Sequence, residues 1–250
     1  MKKLLALLLA MVLVVSVFAG CSSENDDNDG ASYSDKNGDN KDAENNEKEE
    51  LKAVSVGDYI KFGNYEQDNN TENGKEEIEW LVLEVKDGKA LVISKYALDC
   101  QQYNTSYTKV TWETCTLRKW LNNDFLGAAF SADEKAMIPT VTVSVDENLA
   151  YGTNPGNATQ DQVFLLSIIE ANKYFSSDIA IQCEATEYAV AGGAIFPSSS
   201  GICSWWLRSP GDSQTYAAGV RYYGGINESG YNVNNDSNAV RPALWIDLNS

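Results

Sequence analysis

The stretch of sequence that decides the fold class is WLVLEVKDGKALVIS, residues 80–94. Two runs rich in aliphatic residues, 80–85 and 90–94, flank the turn sequence KDGK at 86–89. An Asp-Gly pair between two such runs is the strongest short-range signal of a β-hairpin, because both central residues of the preferred turn adopt positive φ. The sequence therefore predicts an antiparallel hairpin near the start of the folded region.

Other strands are predicted on both sides of this hairpin. Residues 59–62 alternate in polarity, as a half-buried strand does. Residues 140–145 are a further strand candidate, and the apolar run 163–166 predicts a buried strand that leads into a helix ending near Phe175. After residue 200, Gly, Asn and Ser recur about every 8 to 12 residues, which is typical of turns between short strands.

Helices are predicted at fewer places. Apolar residues recur at i, i+3 and i+4 over residues 116–121, and Thr114 or Thr116 is expected to cap this helix. The sequence SADE at 131–134 has the spacing of a capping box and predicts a second short helix. Together these patterns predict a single α+β domain over residues 54–250, with antiparallel sheets and two or three short helices.

The start of the chain has the pattern of a bacterial secretion signal. Two lysines precede the apolar run 4–15, which is too short for an ordinary membrane-spanning helix. The sequence FAGC at 18–21 resembles the lipobox of bacterial lipoproteins, in which the cysteine carries the acyl chains. We therefore expect a lipoprotein signal peptide over residues 1–20 and an extracytoplasmic protein anchored to the bacterial cell membrane through a lipid on Cys21. The alternative is ordinary signal cleavage, which would leave Cys21 as a free thiol.

Residues 21–53 are expected to form a disordered acidic tether that begins at the lipidated cysteine. Only three of the residues 22–50 are apolar, so this segment cannot bury enough surface to offset its chain entropy. Residues 22–53 carry 11 Asp and Glu against 4 Lys, a net charge of −7. A hydrated coil of this charge is expected to extend away from an anionic membrane.

The composition of the chain excludes several classes of function. There are 36 Asp and Glu against 19 Lys and Arg, a net charge of −17, which argues against nucleic-acid binding because phosphate recognition depends on Lys and Arg. The chain has no histidine, which excludes Ser-His-Asp and Cys-His nucleophiles and H-E-x-x-H zinc proteases. Residues 54–250 alone carry 25 acidic against 13 basic residues, a net charge of −12. Any catalysis would use carboxylates, Lys, Tyr or Cys.

Four motifs follow one another along the domain. They are WETCTLRKWLN (112–122), DQVFLLS (161–167), WWLRSPG (205–211) and VRPALW (240–245). In this order they resemble the bacterial domain-of-unknown-function family 6273 over residues 54–248, which implies little about activity. The tail, with its Trp-rich strand, Tyr/Asn/Gly hairpin and Val-Arg-Pro strand, is also similar to the C-type-lectin-like fold of bacterial ligand-display domains and sulfatase modifiers. That similarity implies that Tyr59–Phe62 pairs with Leu244–Asp247.

Residues 215–238 have the composition of a recognition surface. Tyr, Asn, Ser and Gly make up 15 of these 24 residues, and the same set enriches antibody paratopes because Tyr supplies contact area and the others supply adaptable hydrogen bonds. Plain β-turn composition is the alternative. Arginines within apolar strands either recognise an anion or form structural ion pairs. The candidate ligand-binding residues are Arg208, Tyr216, Tyr222, Tyr223, Asn227, Tyr231, Asn232, Asn234 and Arg241.

The four cysteines of the domain lack the spacing of a metal site. Zinc sites use C-x-x-C pairs or histidine, and residues 232–238 offer oxygen ligands with one carboxylate, too few for tight calcium binding. No metal and no cofactor are therefore expected. In an oxidising compartment the cysteines are disulfide candidates, with Cys100 paired to Cys115 and Cys183 to Cys203. Free buried thiols are the alternative.

Two functions from different classes remain open. The first is a non-catalytic binding module that presents its C-terminal hairpin to an extracellular glycan, wall polymer or protein. The second is an enzyme without histidine: a carboxylate-pair glycosidase, or a Cys-dependent oxidase like the formylglycine-generating sulfatase modifiers, with Cys183 and Cys203 as the reactive pair. We expect the binding module, and no catalytic residue is assigned, because no motif nominates a carboxylate pair.

Overall fold

The structure, a computed structural model, describes residues 54–194 and 201–249. The predicted signal peptide, the lipidated Cys21 and the acidic tether lie outside these described residues. Within the described residues, no helix combines the length and the apolar character that crossing a membrane requires.

Twelve strands and five helical segments occur in the part of the chain that the structure describes. The strands are β1 (Tyr59–Tyr65), β2 (Glu76–Lys86), β3 (Lys89–Ser94), β4 (Asp99–Cys100), β5 (Val141–Val143), β6 (Thr159–Asp161), β7 (Val163–Phe164), β8 (Trp205–Pro210), β9 (Tyr216–Val220), β10 (Ile226–Asn232), β11 (Ala239–Val240) and β12 (Ala243–Asp247). The first helical segment runs from α1 (Thr116–Trp120) through a π-helical turn (Leu121–Phe125) into α2 (Leu126–Ala129), and the others are α3 (Ala132–Met137), α4 (Ile168–Tyr174), α5 (Asp178–Ile181) and α6 (Glu187–Ala191).

The first sheet has the strand order β1-β2-β3-β12-β7 and is antiparallel throughout. Its centre is the predicted hairpin: Lys86 of β2 lies opposite Lys89 of β3. The two turn residues have positive φ, 51° at Asp87 and 70° at Gly88, as the turn that matches the twist of a hairpin requires. The hairpin prediction is confirmed.

The second sheet has the strand order β10-β9-β8-β11-β4, and β5 and β6 form a separate two-stranded sheet. The strands pair antiparallel except β8 and β11, which meet in parallel at Trp205 and Ala239. The predicted α+β class with antiparallel sheets is confirmed. The three predicted helices are present, and α5 and α6 are two further short helices that the sequence did not predict.

The predicted pairing of Tyr59–Phe62 with Leu244–Asp247 is wrong. β12 pairs with β3 on one side and with β7 on the other, whereas β1 pairs with β2. Because β1 and β3 occupy the two edges of β2, the terminal strands share a sheet with two strands between them. The C-type-lectin-like fold stays a prediction.

The start of α1 differs from the prediction in its capping residue. Cys115 is the N-cap, and its Sγ accepts the N–H of Arg118 at 3.4 Å. The expected caps are engaged elsewhere: the hydroxyl of Thr116 accepts the N–H of Thr105 at 3.1 Å, and the hydroxyl of Thr114 accepts the N–H of Thr111 at 3.1 Å. By contrast, α3 begins with the capping box that the sequence predicted at residues 131–134.

Tryptophan rings fill much of the core. Trp80, Trp112, Trp205 and Trp206 are fully buried between the elements. Trp120, at the end of α1, is only half-buried although it lies in an apolar helical pattern. Trp120 also lines the pocket that forms the candidate site.

Candidate functional site

A pocket of about 310 Å³ lies between the chain that follows β4 and the first helical segment. Its wall combines an aromatic ring with amides, hydroxyls and one charge of each sign. The lining residues are Gln101, Gln102, Thr105, Thr116, Leu117, Lys119, Trp120, Asn123 and Asp124. An aromatic wall with a few convergent polar groups is the usual form of a small-ligand site.

The helical wall of the pocket contains the π-helical turn, Leu121–Phe125. In this turn the N–H of Leu126 reaches the carbonyl of Leu121, five residues back. Asn123 and Asp124 belong to the turn and line the pocket with Trp120. Single π turns inside α-helices are rare and occur frequently at functional sites.

Asn122 holds the π turn against the neighbouring strands. Its Nδ2 donates to the carbonyls of Arg118 at 3.0 Å and Val163 at 2.8 Å. Its Oδ1 accepts the N–H groups of Gln162 at 2.8 Å and Val163 at 3.2 Å. One amide thus fixes the helical wall to the chain at β7.

A buried carboxylate fixes the opposite wall. Asp99 accepts a hydrogen bond from Gln101 Nε2 at 3.0 Å and another from the hydroxyl of Tyr65 at 2.5 Å. The backbone carbonyl of Gln101 accepts the indole N–H of Trp206 at 2.9 Å. Burial raises the pKa of Asp99 above the usual range of aspartate, and burial beside Asp99 raises the pKa of Tyr65.

The three amide side chains of the pocket use their NH₂ groups inside the protein. Nε2 of Gln101 donates to Asp99, Nε2 of Gln102 donates to the carbonyl of Asn234 at 2.7 Å, and Nδ2 of Asn123 donates to the carbonyl of Lys119 at 2.6 Å. Within the described residues, no donor meets the three side-chain amide oxygens. Because each NH₂ group keeps a second hydrogen, these amides of the lining can both accept and donate hydrogen bonds.

Comparison with known proteins places the chain in a family. The family model described as "Domain of unknown function (DUF6273)" matches residues 87–248, which is 162 of the 250 residues. The chain belongs to the DUF6273 family. The DUF6273 match includes every lining residue of the pocket and begins inside the β2–β3 hairpin. No curated protein and no solved structure matches the chain.

Arg208, in the third DUF6273 motif, is a structural residue. Its guanidinium is buried and contacts both carboxylate oxygens of Glu170. The remaining N–H groups donate to the carbonyls of Leu165 at 2.7 Å and Ser144 at 2.8 and 3.0 Å. Because each donor is engaged within the fold, Arg208 has none left for a ligand.

Arg241, in the fourth motif, is also buried. Its Nε donates to the carbonyl of Ser94 at 2.9 Å, and its guanidinium carbon lies 5.4 Å from the ring centre of Phe175 and 5.1 Å from that of Trp205. No carboxylate pairs with it in residues 54–194 and 201–249. Cation–π contacts thus take the place of an ion pair. The anion-binding fork of Arg208 and Arg241, which was the alternative to structural pairing, is therefore not formed.

The hairpin β9–β10 separates its candidate residues. Tyr222 and Tyr223 are 39 % and 50 % exposed, with ring centres 5.2 Å apart. Asn227 is buried: its Oδ1 accepts from Arg221 at 2.7 Å, and its Nδ2 donates to the carbonyl of Gly230 at 3.0 Å. The tyrosine pair is available to a partner, whereas Asn227 stabilises the hairpin.

The other hairpin candidates lie in different environments. Tyr216 is half-buried, and the neighbouring Tyr107 hydroxyl raises its pKa. Tyr231 is half-buried with its ring 6.0 Å from that of Trp206, and Asn232 is exposed. Asn234 lies next to the pocket, because its carbonyl accepts from Gln102. The predicted set is therefore not one site.

All four cysteines of the DUF6273 segment are buried, free thiols, so neither proposed disulfide is present in the structure. Burial raises the pKa of Cys100 and Cys115 to about 12. Burial also raises the pKa of Cys183 and Cys203. Since thiolates are the reactive form, these environments disfavour cysteine chemistry.

One group of carboxylates was not predicted from sequence. Oxygens of Glu66, Asp68 and Glu76 lie within 4.8 Å of one another near the start of β2. Backbone N–H groups already bind them: that of Asn70 donates to Glu66 at 2.8 Å, and that of Gln67 donates to Glu76 at 2.6 Å. The loop's own hydrogen bonds therefore account for this arrangement.

The loop at 232–238 also uses its oxygens locally. Oδ1 of Asn235 accepts the N–H groups of Ser237 at 3.0 Å and Asn238 at 3.1 Å. This side chain closes a turn, which is the ordinary role of asparagine there.

Sequence reasoning missed the pocket. Its residues come from two segments, 101–105 and 116–124, which only the tertiary fold brings together. A signal was present within the second segment, where Asn122, Asn123 and Asp124 follow Trp120 and Leu121 in a helical pattern. Three polar residues after an aromatic residue indicate a helix face that is not fully buried.

Proposed function

We propose that this chain is a lipid-anchored extracytoplasmic protein of a bacterial cell, whose domain binds a ligand without chemical conversion. The signal-like residues 1–20, the lipobox-like sequence at 18–21 and the acidic segment that follows support the anchoring. The ligand would be a glycan, a wall polymer or a protein reached at some distance from the membrane surface.

The pocket beside Trp120 is the observation that carries the binding function. It joins a half-buried indole to amide oxygens that have no donor among the described residues. Both walls are held in place by internal hydrogen bonds, through Asn122 on one side and Asp99 on the other. Such preorganisation reduces the entropy lost on binding.

Binding is favoured over catalysis by the chemistry of the lining. A carboxylate-pair mechanism needs two acidic side chains across a cleft, and Asp124 is the one acid among the nine lining residues of the described pocket. The oxidase alternative needs reactive thiols, but Cys183 and Cys203 are buried, and their pKa values are raised by burial. Neither enzyme hypothesis gains support from these environments.

The exposed tyrosine pair is a second candidate surface. Tyr222 and Tyr223 lie at the end of the hairpin, where Tyr223 also receives a hydrogen bond from Gln182 on its carbonyl. Tyrosines of this kind supply amphipathic contact area. This surface fits a protein or polymer partner more readily than a small molecule, because both side chains are exposed and neither lines the pocket.

The test displays the full chain on bacterial cells and measures binding of a panel of labelled oligosaccharides, wall-polymer fragments and proteins. Trp120→Ala should leave the protein on the cell and lower binding at least tenfold. The matched control is Trp245→Ala, another half-buried tryptophan that does not line the pocket. Equal binding by the two variants would refute the pocket as the binding site.

Two further arms separate anchoring from the hairpin surface. Cys21→Ala should abolish the incorporation of labelled fatty acid into the protein, and labelling equal to that of the parent would contradict the lipid anchor. Loss of binding in Tyr222→Ala/Tyr223→Ala, but not in the exposed control Tyr151→Ala, would assign the ligand to the hairpin instead of the pocket.

A further inference from the structure

We infer that the pocket beside Trp120 takes a neutral, hydroxyl-rich ring, which is the chemistry of a glycan residue. The inference rests on the proposed binding function and narrows it to one ligand class. It excludes polyanionic polymers and polycations, and it follows from the orientation of three amides, the two charges of the lining and the position of the indole.

The amides define the hydrogen-bonding character of the pocket. The NH₂ groups of Gln101, Gln102 and Asn123 each donate to an oxygen of the protein, so the orientation of every amide is fixed. Their side-chain oxygens are acceptors with no donor among the described residues. Each amide nitrogen also keeps a second hydrogen, so a ligand that both donates and accepts matches these side chains. Hydroxyl groups do both, whereas a phosphodiester group only accepts.

The lining carries one charge of each sign, which favours a neutral ligand over a polyanion or a polycation. Lys119 and Asp124 both line the pocket and give it no net charge. The carboxylate of Asp124 and the net −12 of the domain disfavour an anionic polymer. The ammonium of Lys119 disfavours a cation that would otherwise use the same acceptors. A neutral donor-rich ligand is the class that satisfies both constraints.

The indole supplies the apolar part of the site. Trp120 and Leu117 line the pocket, and the ring centre of Phe125 lies 5.7 Å from that of Trp120. A sugar ring carries its C–H bonds on its two faces and its hydroxyls around its edge. Its face can pack on the indole while its edge donates to the amides, so that both kinds of surface are matched.

The π turn makes this combination possible. Asn123 and Asp124 lie in the turn itself, and Trp120 is the residue directly before it. Asn122 is the positioning residue, because its four hydrogen bonds go to Arg118, Gln162 and Val163, which do not line the pocket. The chain retains this less stable helical form at the wall of its pocket.

The experiment titrates the full chain, in detergent, with three probe classes and measures heat and tryptophan fluorescence. The probes are neutral tetrasaccharides of glucose, mannose and N-acetylglucosamine, the polyanion polyglycerol phosphate, and the cation spermidine. We expect at least one neutral tetrasaccharide to bind. Trp120→Ala should weaken it at least tenfold, and Asn123→Ala should weaken it about fivefold, with Trp245→Ala unchanged.

A further variant tests the acceptors directly. In Gln102→Met the side chain keeps its approximate length and loses the acceptor oxygen, so the affinity for the tetrasaccharide should fall about fivefold. Binding of polyglycerol phosphate or spermidine with the same sensitivity to Trp120→Ala would overturn the inference and leave the proposed function standing. If none of the neutral saccharides binds, the inference is also overturned. The proposed function is then tested by the cell-display experiment alone.

Discussion

The β8–β10 region, residues 205–232, and the pocket walls at 101–124 both carry many amide, hydroxyl and guanidinium groups, but they use them differently. In the first region, Arg208 and Asn227 direct their polar atoms into the fold. In the pocket, the NH₂ groups of Gln102 and Asn123 bond internally while their oxygens stay without a donor in the described part of the chain. The availability of a polar group thus depends on its partners more than on its residue type.

The largest expected effect on stability comes from the β8–β10 region, where Arg208 bonds entirely within the fold. Arg208→Met should lower the free energy of unfolding by about 3 kcal/mol, because it leaves Glu170 and the carbonyls of Ser144 and Leu165 without their donor. Urea denaturation measures this change. The matched control is Lys173→Met, which breaks an exposed pair with Glu84 and should change stability little. Equal losses of unfolding free energy in the two variants would contradict the structural role of the buried Arg208.

Two neighbouring asparagines sharpen the comparison within the pocket wall. Asn122→Ala should cost about 2 kcal/mol of unfolding free energy, because four hydrogen bonds disappear and buried backbone groups lose their partners. Asn123→Ala should cost about 0.5 kcal/mol or less, because its side chain is exposed and makes one hydrogen bond. Thermal denaturation of both variants measures the two losses of stability, which can then be compared. The assignment of Asn122 as the residue that holds the π turn would fail if Asn123→Ala were the more destabilising change.

The smallest expected effect concerns pH. Burial raises the pKa of Asp99 in the folded state, so the folded chain binds that proton more tightly than the unfolded chain. Stability from this group is therefore greatest at acid pH and falls as the pH rises from about 4 through the raised pKa. Asp99→Asn removes the dependence. The difference between parent and variant in urea midpoint, measured from pH 4 to 7, should shrink as the pH falls. An unchanged difference would contradict the pKa shift.

Local chemistry explains which parts of the fold could be predicted. The hairpin at 80–94 and the helix after Ser131 depend on turn and capping signals within a few residues, and both are present as expected. The helices Asp178–Ile181 and Glu187–Ala191 span four and five residues, too few for an apolar period to show. Their only signals, Ser177 and Thr186 as caps, are common in loops as well.

Long-range packing explains what could not be predicted. The position of β12 between β3 and β7 depends on contacts far apart in sequence, so similarity of pattern to another fold gave the wrong neighbours. Composition placed Arg208 and Asn227 on a ligand surface because it does not reveal their internal partners. For the same reason it could not show that Trp120 keeps part of its ring accessible.

The place of β12 in the first sheet has a consequence for how the protein is made. Between Ser94 at the end of β3 and Ala243 at the start of β12 lie 148 residues, which a ribosome adds in roughly 7 to 30 seconds. During that time the edge of β3 lacks its partner strand, and an unpaired apolar edge is a site of aggregation. Any truncation before Ala243 therefore leaves this edge of β3 without its partner strand.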